Sequence, residues 1–244
     1  MSGVEVMDEK ELVEEQAVAE EQEAEGLEDL QELDQLLVRQ EVEILEVAVD
    51  WEQNNKYQIC NNLGQSIFFL QEETSGCSRH CCGPERSFDL FMRNVHGDDV
   101  LHLHRDCACA PCGWPCFFCC ICFCERAKQI VTVNGLGEVE IGKLSLERTC
   151  FAPTIRVENS FGNQVFSIVG SCCQLTCGKD IEYKIFNVEN EEIGNIVKQF
   201  NSHLMEAFTD ADNFLVQFPK DLSTNEKALL LAATFMIDFL FFEA

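Results

Sequence analysis

Residues 154–169 read TIRVENSFGNQVFSIV: an alternating apolar run, the tetrad Asn159 to Gly162, and a second alternating run. A period of two puts one face of an extended chain on a core and the other in water. Asn and Gly tolerate the positive φ that a tight reversal requires, so the stretch reads as a β-hairpin with its turn at the tetrad. The pattern occurs five times. KYQIC runs through Asn61–Gly64 into QSIFFL, and FDLFMR through Asn94–Gly97 into DDVLHLH. IVTV runs through Asn134–Gly137 into EVEIGKL, and IEYKIF through Asn187–Asn190 into EEIGNIVK. An entering strand in EVEILEVAVDW (41–51) and FLVQF near residue 216 bring the count to about eleven or twelve. So many antiparallel strands close into a barrel or stack as a sandwich, because open edges invite aggregation.

Two segments depart from this period. GLEDLQELDQLLVRQ (26–40) places Leu27, Leu30, Leu33, Leu36 and Leu37 at roughly helical spacing, which predicts a short amphipathic helix docked on the domain. At the other end, NEKALLLAATFMIDFLFFEA (225–244) is apolar on every side from Ala228 to Phe242, apart from Thr234 and Asp238. Those fifteen residues span about 22 Å as a helix, short of the roughly 30 Å of a bilayer core. The segment therefore reads as a helix over about 226–243, buried along a barrel axis. A single-pass membrane segment in a tilted or thinned bilayer is the alternative. Asp238 is easier to satisfy inside a barrel than in lipid.

The formal charge is −26, and residues 1–50 hold eighteen Asp and Glu against two basic residues. Residues 1–25 read as a disordered acidic tail, leaving 26–244 as the folded domain. So acidic a surface is repelled by nucleic acid, and no nucleic-acid partner is expected. MSGVEVMDEKELVEEQ has neither a basic n-region nor an apolar h-region, so the expected compartment is the cytosol. The sixteen cysteines are then expected to be reduced, metal-bound or acylated rather than paired.

LDQLLVRQEVEILE, NNKYQICNNLGQ, CSRHCCGPERSF, the cysteine-rich run, FTDADNFLVQFPKDL and FMIDFLFFE occur here in that order. Through these stretches the chain resembles the phospholipid scramblase family over nearly everything after residue 26. The resemblance implies an all-β, about 12-stranded closed antiparallel barrel, like that of the tubby proteins, with the C-terminal helix threaded through it. It also implies ATP-independent, calcium-stimulated movement of phospholipids between leaflets, and anchoring by thioacylated cysteines. Two features depart from the family. The acidic tail stands where members often carry a proline-rich segment, so partners that read proline are not carried over. GNIVKQFNSH has few basic residues where some members carry a nuclear import signal, and nuclear import is not carried over either.

CFFCCICFC (116–124) sets five cysteines among Phe and Ile with no polar residue. Cys109-x-x-Cys112 and Cys116-x-x-Cys119 are two possible metal knuckles, but only three residues separate them, unlike a zinc ribbon. Buried structural thiols are a second reading. Acylation explains more, since the apolar neighbours suit an interface and stable anchoring takes two signals of about 0.8 kcal/mol per buried methylene. A body this acidic offers no polybasic patch, so several palmitate chains are the expected route. CGWPCF resembles the family's cysteine and proline motif, which points to Cys112 and Cys116, with Cys119 and Cys120 following.

In TDADNFLVQFPKDL, Asp210, Asp212, Asn213 and Asp221 are the calcium candidates, on carboxylates at positions 1, 3 and 12 and on the family's assignment to this segment. Phe214 and Leu215 stand where an EF-hand has a ligand and a turn glycine. If FLVQF is a strand of about 16 Å, Asp212 and Asp221 cannot share one ion. A solvated turn is the plain alternative. His102 and His104 share a strand face and are read as a polar outer face, with metal binding the alternative. Cys77, Cys81 and Cys82 with His80 are a second possible metal cluster, with redox and structural roles equally open, and the CxxxC spacing there and among Cys172, Cys173 and Cys177 is suggestive but unspecific. No nucleophile elbow, phosphate loop or dinucleotide fingerprint occurs, so no enzyme is expected. The reading is a calcium-responsive lipid translocator held by acyl chains at the cytosolic face of the plasma membrane. Its rival is an acylated adaptor or headgroup-binding regulator without transport. Protein partners are not legible.

Overall fold

The fold is a computed structural model, which describes residues 26–41, 54–73, 86–106, 129–147, 152–171, 179–200 and 212–242. Twelve strands close into one antiparallel barrel in the order β1-β12-β11-β10-β9-β8-β7-β6-β5-β4-β3-β2. They are β1 Gln35–Glu41, β2 Lys56–Cys60, β3 Ser66–Glu72, β4 Phe88–Asn94, β5 Asp99–Arg105 and β6 Ile130–Asn134. The remainder are β7 Glu140–Glu147, β8 Thr154–Asn159, β9 Gln164–Gly170, β10 Ile181–Phe186, β11 Glu192–Gln199 and β12 Asn213–Gln217. A barrel rather than a sandwich results because β1 pairs with both β2 (Val38 opposite Ile59) and β12 (Val38 opposite Phe214), leaving no edge.

Four of the five hairpins turn at the Asn tetrads. The Asn61 side-chain oxygen accepts from the backbone N–H of Leu63 and Gln65, and Asn159 does the same for Phe161 and Asn163. The tetrad's last residue takes the left-handed conformation, as at Gly162 (φ +77°), and in the fifth unit Asn190 adopts it at φ +63°. The third hairpin turns one residue later: Gly135 N–H bonds the Val139 carbonyl, and Gly137 and Glu138 carry the positive φ.

The helix α1 (Thr224–Phe241) fills the barrel. Ser223 and Glu226 form a reciprocal capping box that starts it, with Ser223 Oγ accepting from Glu226 N–H and Glu226 Oε2 from Ser223 N–H. Every residue from Lys227 to Phe239 is buried, against inward side chains of the wall such as Leu36, Tyr57, Phe88 and Leu144. A helix apolar all round needs such a sleeve. At β7, Gly142 stands where the wall leaves no room for a side chain. A Cβ there would sit 2.2 Å from the Glu158 carbonyl and 3.0 Å from Leu229 Cδ2.

Among the described residues no helix is long and apolar enough to cross a membrane, so a single-pass segment at the C-terminus is not supported. The expected amphipathic helix over 26–40 is also corrected. Only a 3-10 turn forms, at Glu28–Leu30, and Gln35 onward is strand. Leu36 and Val38 point into the core while Leu37 and Arg39 do not, a period of two hidden inside leucines that also fit a helix. Closing the barrel requires a strand between β2 and β12, and that pairing overrides helix propensity. The strand expected within 41–51 and the acidic tail over 1–25 lie outside the described residues, Glu41 excepted.

The two ends of the barrel differ. All five tight turns lie at one end, where the 3-10 turn also sits. There the buried Lys227 Nζ donates to the carbonyls of Leu30, Gln31 and Lys220 at 3.2, 2.7 and 2.9 Å, tying α1 to the chain before β1. Burial pulls its pKa below the ordinary lysine value, opposed by the Glu32 carboxylate. The six longer connections (42–55, 73–87, 106–129, 148–153, 171–180 and 200–212) all join strands at the opposite end.

Candidate functional site

Three polar groups of side chains collect toward that second end. Inside the barrel, Tyr57 Oη on β2 donates to Asp238 Oδ2 on α1 at 2.5 Å. Tyr183 on β10 lies close enough that burial, and then the Asp238 charge, pushes its phenol well above the ordinary tyrosine value. Glu72 at the end of β3 is fully buried and accepts from Asn55 N–H at 3.2 Å and Asn55 Nδ2 at 2.9 Å. It also accepts from Arg86 Nε and Nη2, each at 3.3 Å. The Arg86 carbonyl takes two donations from the Arg105 guanidinium, at 3.2 and 2.7 Å.

At the start of β12, Asp212 Oδ2 lies 2.7 Å from Lys198 Nζ of β11, both about four-fifths covered. The Lys198 ammonium also sits 3.6 Å above the Phe242 ring, just past the end of α1, so the acidic segment meets the last turn of the helix through a cation. Asp212 N–H donates to Gln40 Oε1, and the Asp212 carbonyl accepts from Gln40 N–H. Of the calcium candidates, Asp212 and Asn213 stand together at this end. Asp221 lies beyond the far end of β12, beside Val188 and Glu226 near the tight turns. The five residues of β12, about 16 Å of strand, separate them. Asp210 is outside the described residues, as are Cys112, Cys116, Cys119 and Cys120.

On the outer wall, Asp89 of β4 pairs in register with His104 of β5. Asp89 Oδ1 is 3.0 Å from His102 Nε2 and 2.7 Å from His104 Nδ1. The Asp89 hydrogen bond raises the His104 pKa above the ordinary imidazole value against the opposing effect of burial. The outward placement of both histidines agrees with the alternation of LHLH. Their partner was missed, because counting back from the Asn94–Gly97 turn in the FDLFMR hairpin sets Asp89 opposite Leu103, and only the register shift between Met92 and Arg93 brings it opposite His104.

A closed antiparallel barrel whose own terminal helix is its core defines the class, with polar clusters at one rim and on the outer wall. The Scramblase family model matches residues 15–244, and the chain belongs to that family. It is 40% identical to phospholipid scramblase 1 of Mus musculus over 219 residues, 89% of this chain and 64% of that protein. It is 38% identical to phospholipid scramblase 2 of Bos taurus, across 89% of this chain and 71% of that one. Phospholipid scramblase family member 5 of Homo sapiens is 32% identical, across 89% and 77%. The chain thus spans about two thirds of the length of the curated relatives it matches. No solved structure matches it.

Proposed function

We propose that the chain moves phospholipids between leaflets without converting them chemically. In this reading it needs no ATP, responds to calcium, and works from the cytosolic face of the plasma membrane, held there by palmitate thioesters on Cys112, Cys116, Cys119 and Cys120. Family membership supports lipid handling in general. The observation that carries the orientation is the one-sided distribution of connections. Fifteen of the sixteen cysteines, all but Cys60, belong to connections that join strands at a single end, as does Asp210. Acyl chains on that end would hold the acidic segment and the last turn of α1 toward the bilayer.

Calcium is then expected to be taken up by Asp212 and Asn213 together with Asp210, with Asp221 outside the set. Lys198 already holds the Asp212 carboxylate, so the ion competes with it. Removing one positive charge about 6 Å from a divalent ion is worth about 1.4 kcal/mol under water-like screening, or about tenfold in affinity. Lys198→Gln is accordingly expected to tighten calcium binding about tenfold in a calorimetric titration. An unchanged affinity would take Asp212 out of the ligand set.

A second reading, an acylated adaptor, is favoured by one specific observation: among the described residues, α1 fills the interior of the barrel and leaves no lipid path through it. Reconstitution separates the two. Purified chain in liposomes with labelled phospholipid, no nucleotide and millimolar calcium is expected to accelerate exchange between leaflets over protein-free vesicles. No acceleration at any calcium level would leave the adaptor.

A further inference from the structure

We propose that Asp89, His102 and His104 form a zinc-class divalent metal site on the outer face of the β4–β5 hairpin, with two imidazole nitrogens and one carboxylate oxygen as ligands. The three prospective ligand atoms lie within 4.8 Å of one another. Ligands about 2.0–2.1 Å from a tetrahedral ion are about 3.3 Å apart, and the contacts of Asp89 Oδ1 at 3.0 and 2.7 Å need little adjustment to reach that spacing. Two imidazoles and a carboxylate suit zinc and its transition-metal neighbours rather than calcium, which takes only oxygen.

The surroundings of the rings point the same way. Each histidine has a carboxylate at both nitrogens: His102 Nδ1 faces Glu138 Oε2 at 3.4 Å, and His104 Nε2 faces Asp106 Oδ1 at 3.3 Å. A neutral imidazole donates at one nitrogen only, so one lone pair of each ring faces a carboxylate oxygen unless a second proton or a metal ion is held there. An ion between the rings and Asp89 resolves this. His102 Nε2 and His104 Nδ1 give their lone pairs to the ion, while the other nitrogens donate to Glu138 and Asp106. Ligating histidines are characteristically oriented by such outer carboxylates. The orientation is also held by packing. The His102 ring stacks on Phe91 of β4 at 4.4 Å and 4°, and Asn134 Nδ2 positions Glu138 at 3.2 Å. The nearby carboxylates draw a cation, and the remaining position of the ion opens to solvent, because His104 is 40% exposed.

The test is a titration of the full chain with zinc chloride alone, followed by histidine-detected NMR. Thiols are alkylated first in the native protein, which removes the cysteine background and spares the buried Cys60. One equivalent of zinc is expected to shift the ring signals of two of the five histidines, assigned to His102 and His104 by single substitutions. His102→Gln/His104→Gln is expected to abolish uptake. Glu138→Gln, which leaves all three ligands in place, is expected to weaken it by about tenfold through lost orientation. Asp89→Asn serves as a second ligand variant if the double substitution fails to fold, and it too is expected to lose uptake. The proposal is overturned if the alkylated wild type takes up no zinc, if His80, His96 or His203 respond instead, or if a folded ligand variant binds as the wild type does.

Discussion

Phe235→Ala is expected to destabilise the fold by about 3–5 kcal/mol, read as a lower denaturant midpoint at unchanged slope. Phe235 is buried at the middle of α1, with its ring edge-on to Tyr57 at 5.1 Å and 62°. Tyr57 is the residue whose hydroxyl donates to Asp238 less than one turn along. Truncation leaves a cavity in a sleeve of closed strands, which cannot collapse inward as an open sheet can. It also frees the Tyr57 ring from the contact that aims its hydroxyl. A domain of this kind holds about 5–15 kcal/mol in all, so the loss is a large share of the total. Phe235→Leu, which keeps most of the volume, is expected to cost less than half as much. A loss under about 1 kcal/mol for the alanine variant would mean that α1 is not packed within the barrel in solution.

Arg86→Met is expected to cost about 3–5 kcal/mol, because it leaves the Glu72 carboxylate buried without its cation. Glu72 is fully covered and Arg86 is 4% exposed, so water cannot take over the lost interaction. The Arg86 guanidinium also lies 5.0 Å over the Phe239 ring of α1, and its removal loosens the helix as well as the wall. The companion variant Glu72→Gln with Arg86→Met is expected to recover at least about 1 kcal/mol relative to Arg86→Met alone, since no charge is then stranded. A thermodynamic cycle through the four proteins measures the coupling. Strict additivity would show that the pair is not buried as described.

The hairpins were legible because their signals are local. An Asn at the start of a turn bonds its own backbone two and four residues on, and a Gly or Asn at the end accepts positive φ. Neither depends on the rest of the chain. The uniform oiliness of 228–242 was equally plain, and it required a sheath of some kind. Whether that sheath was protein or lipid was settled by the closed ring of twelve strands around it. The Leu36–Val38 stretch went the other way. Its leucines satisfy a helical period and a strand period alike, and only the vacancy between β2 and β12 selects the strand.

For the sites the division is similar. Asp212 and Asn213 could be picked out as neighbours in the chain, but Lys198 and Phe242, which control that carboxylate, come from β11 and the end of α1. Asp89 and the two histidines are thirteen and fifteen residues apart, and Glu138 is farther still. What the order of residues settles about this protein is its set of turns, its apolar rod and its alternation of faces, since each is decided within a few bonds. Which charges meet was left to barrel closure, because electrostatic partners are chosen by distance in space and the register of neighbouring strands sets that distance.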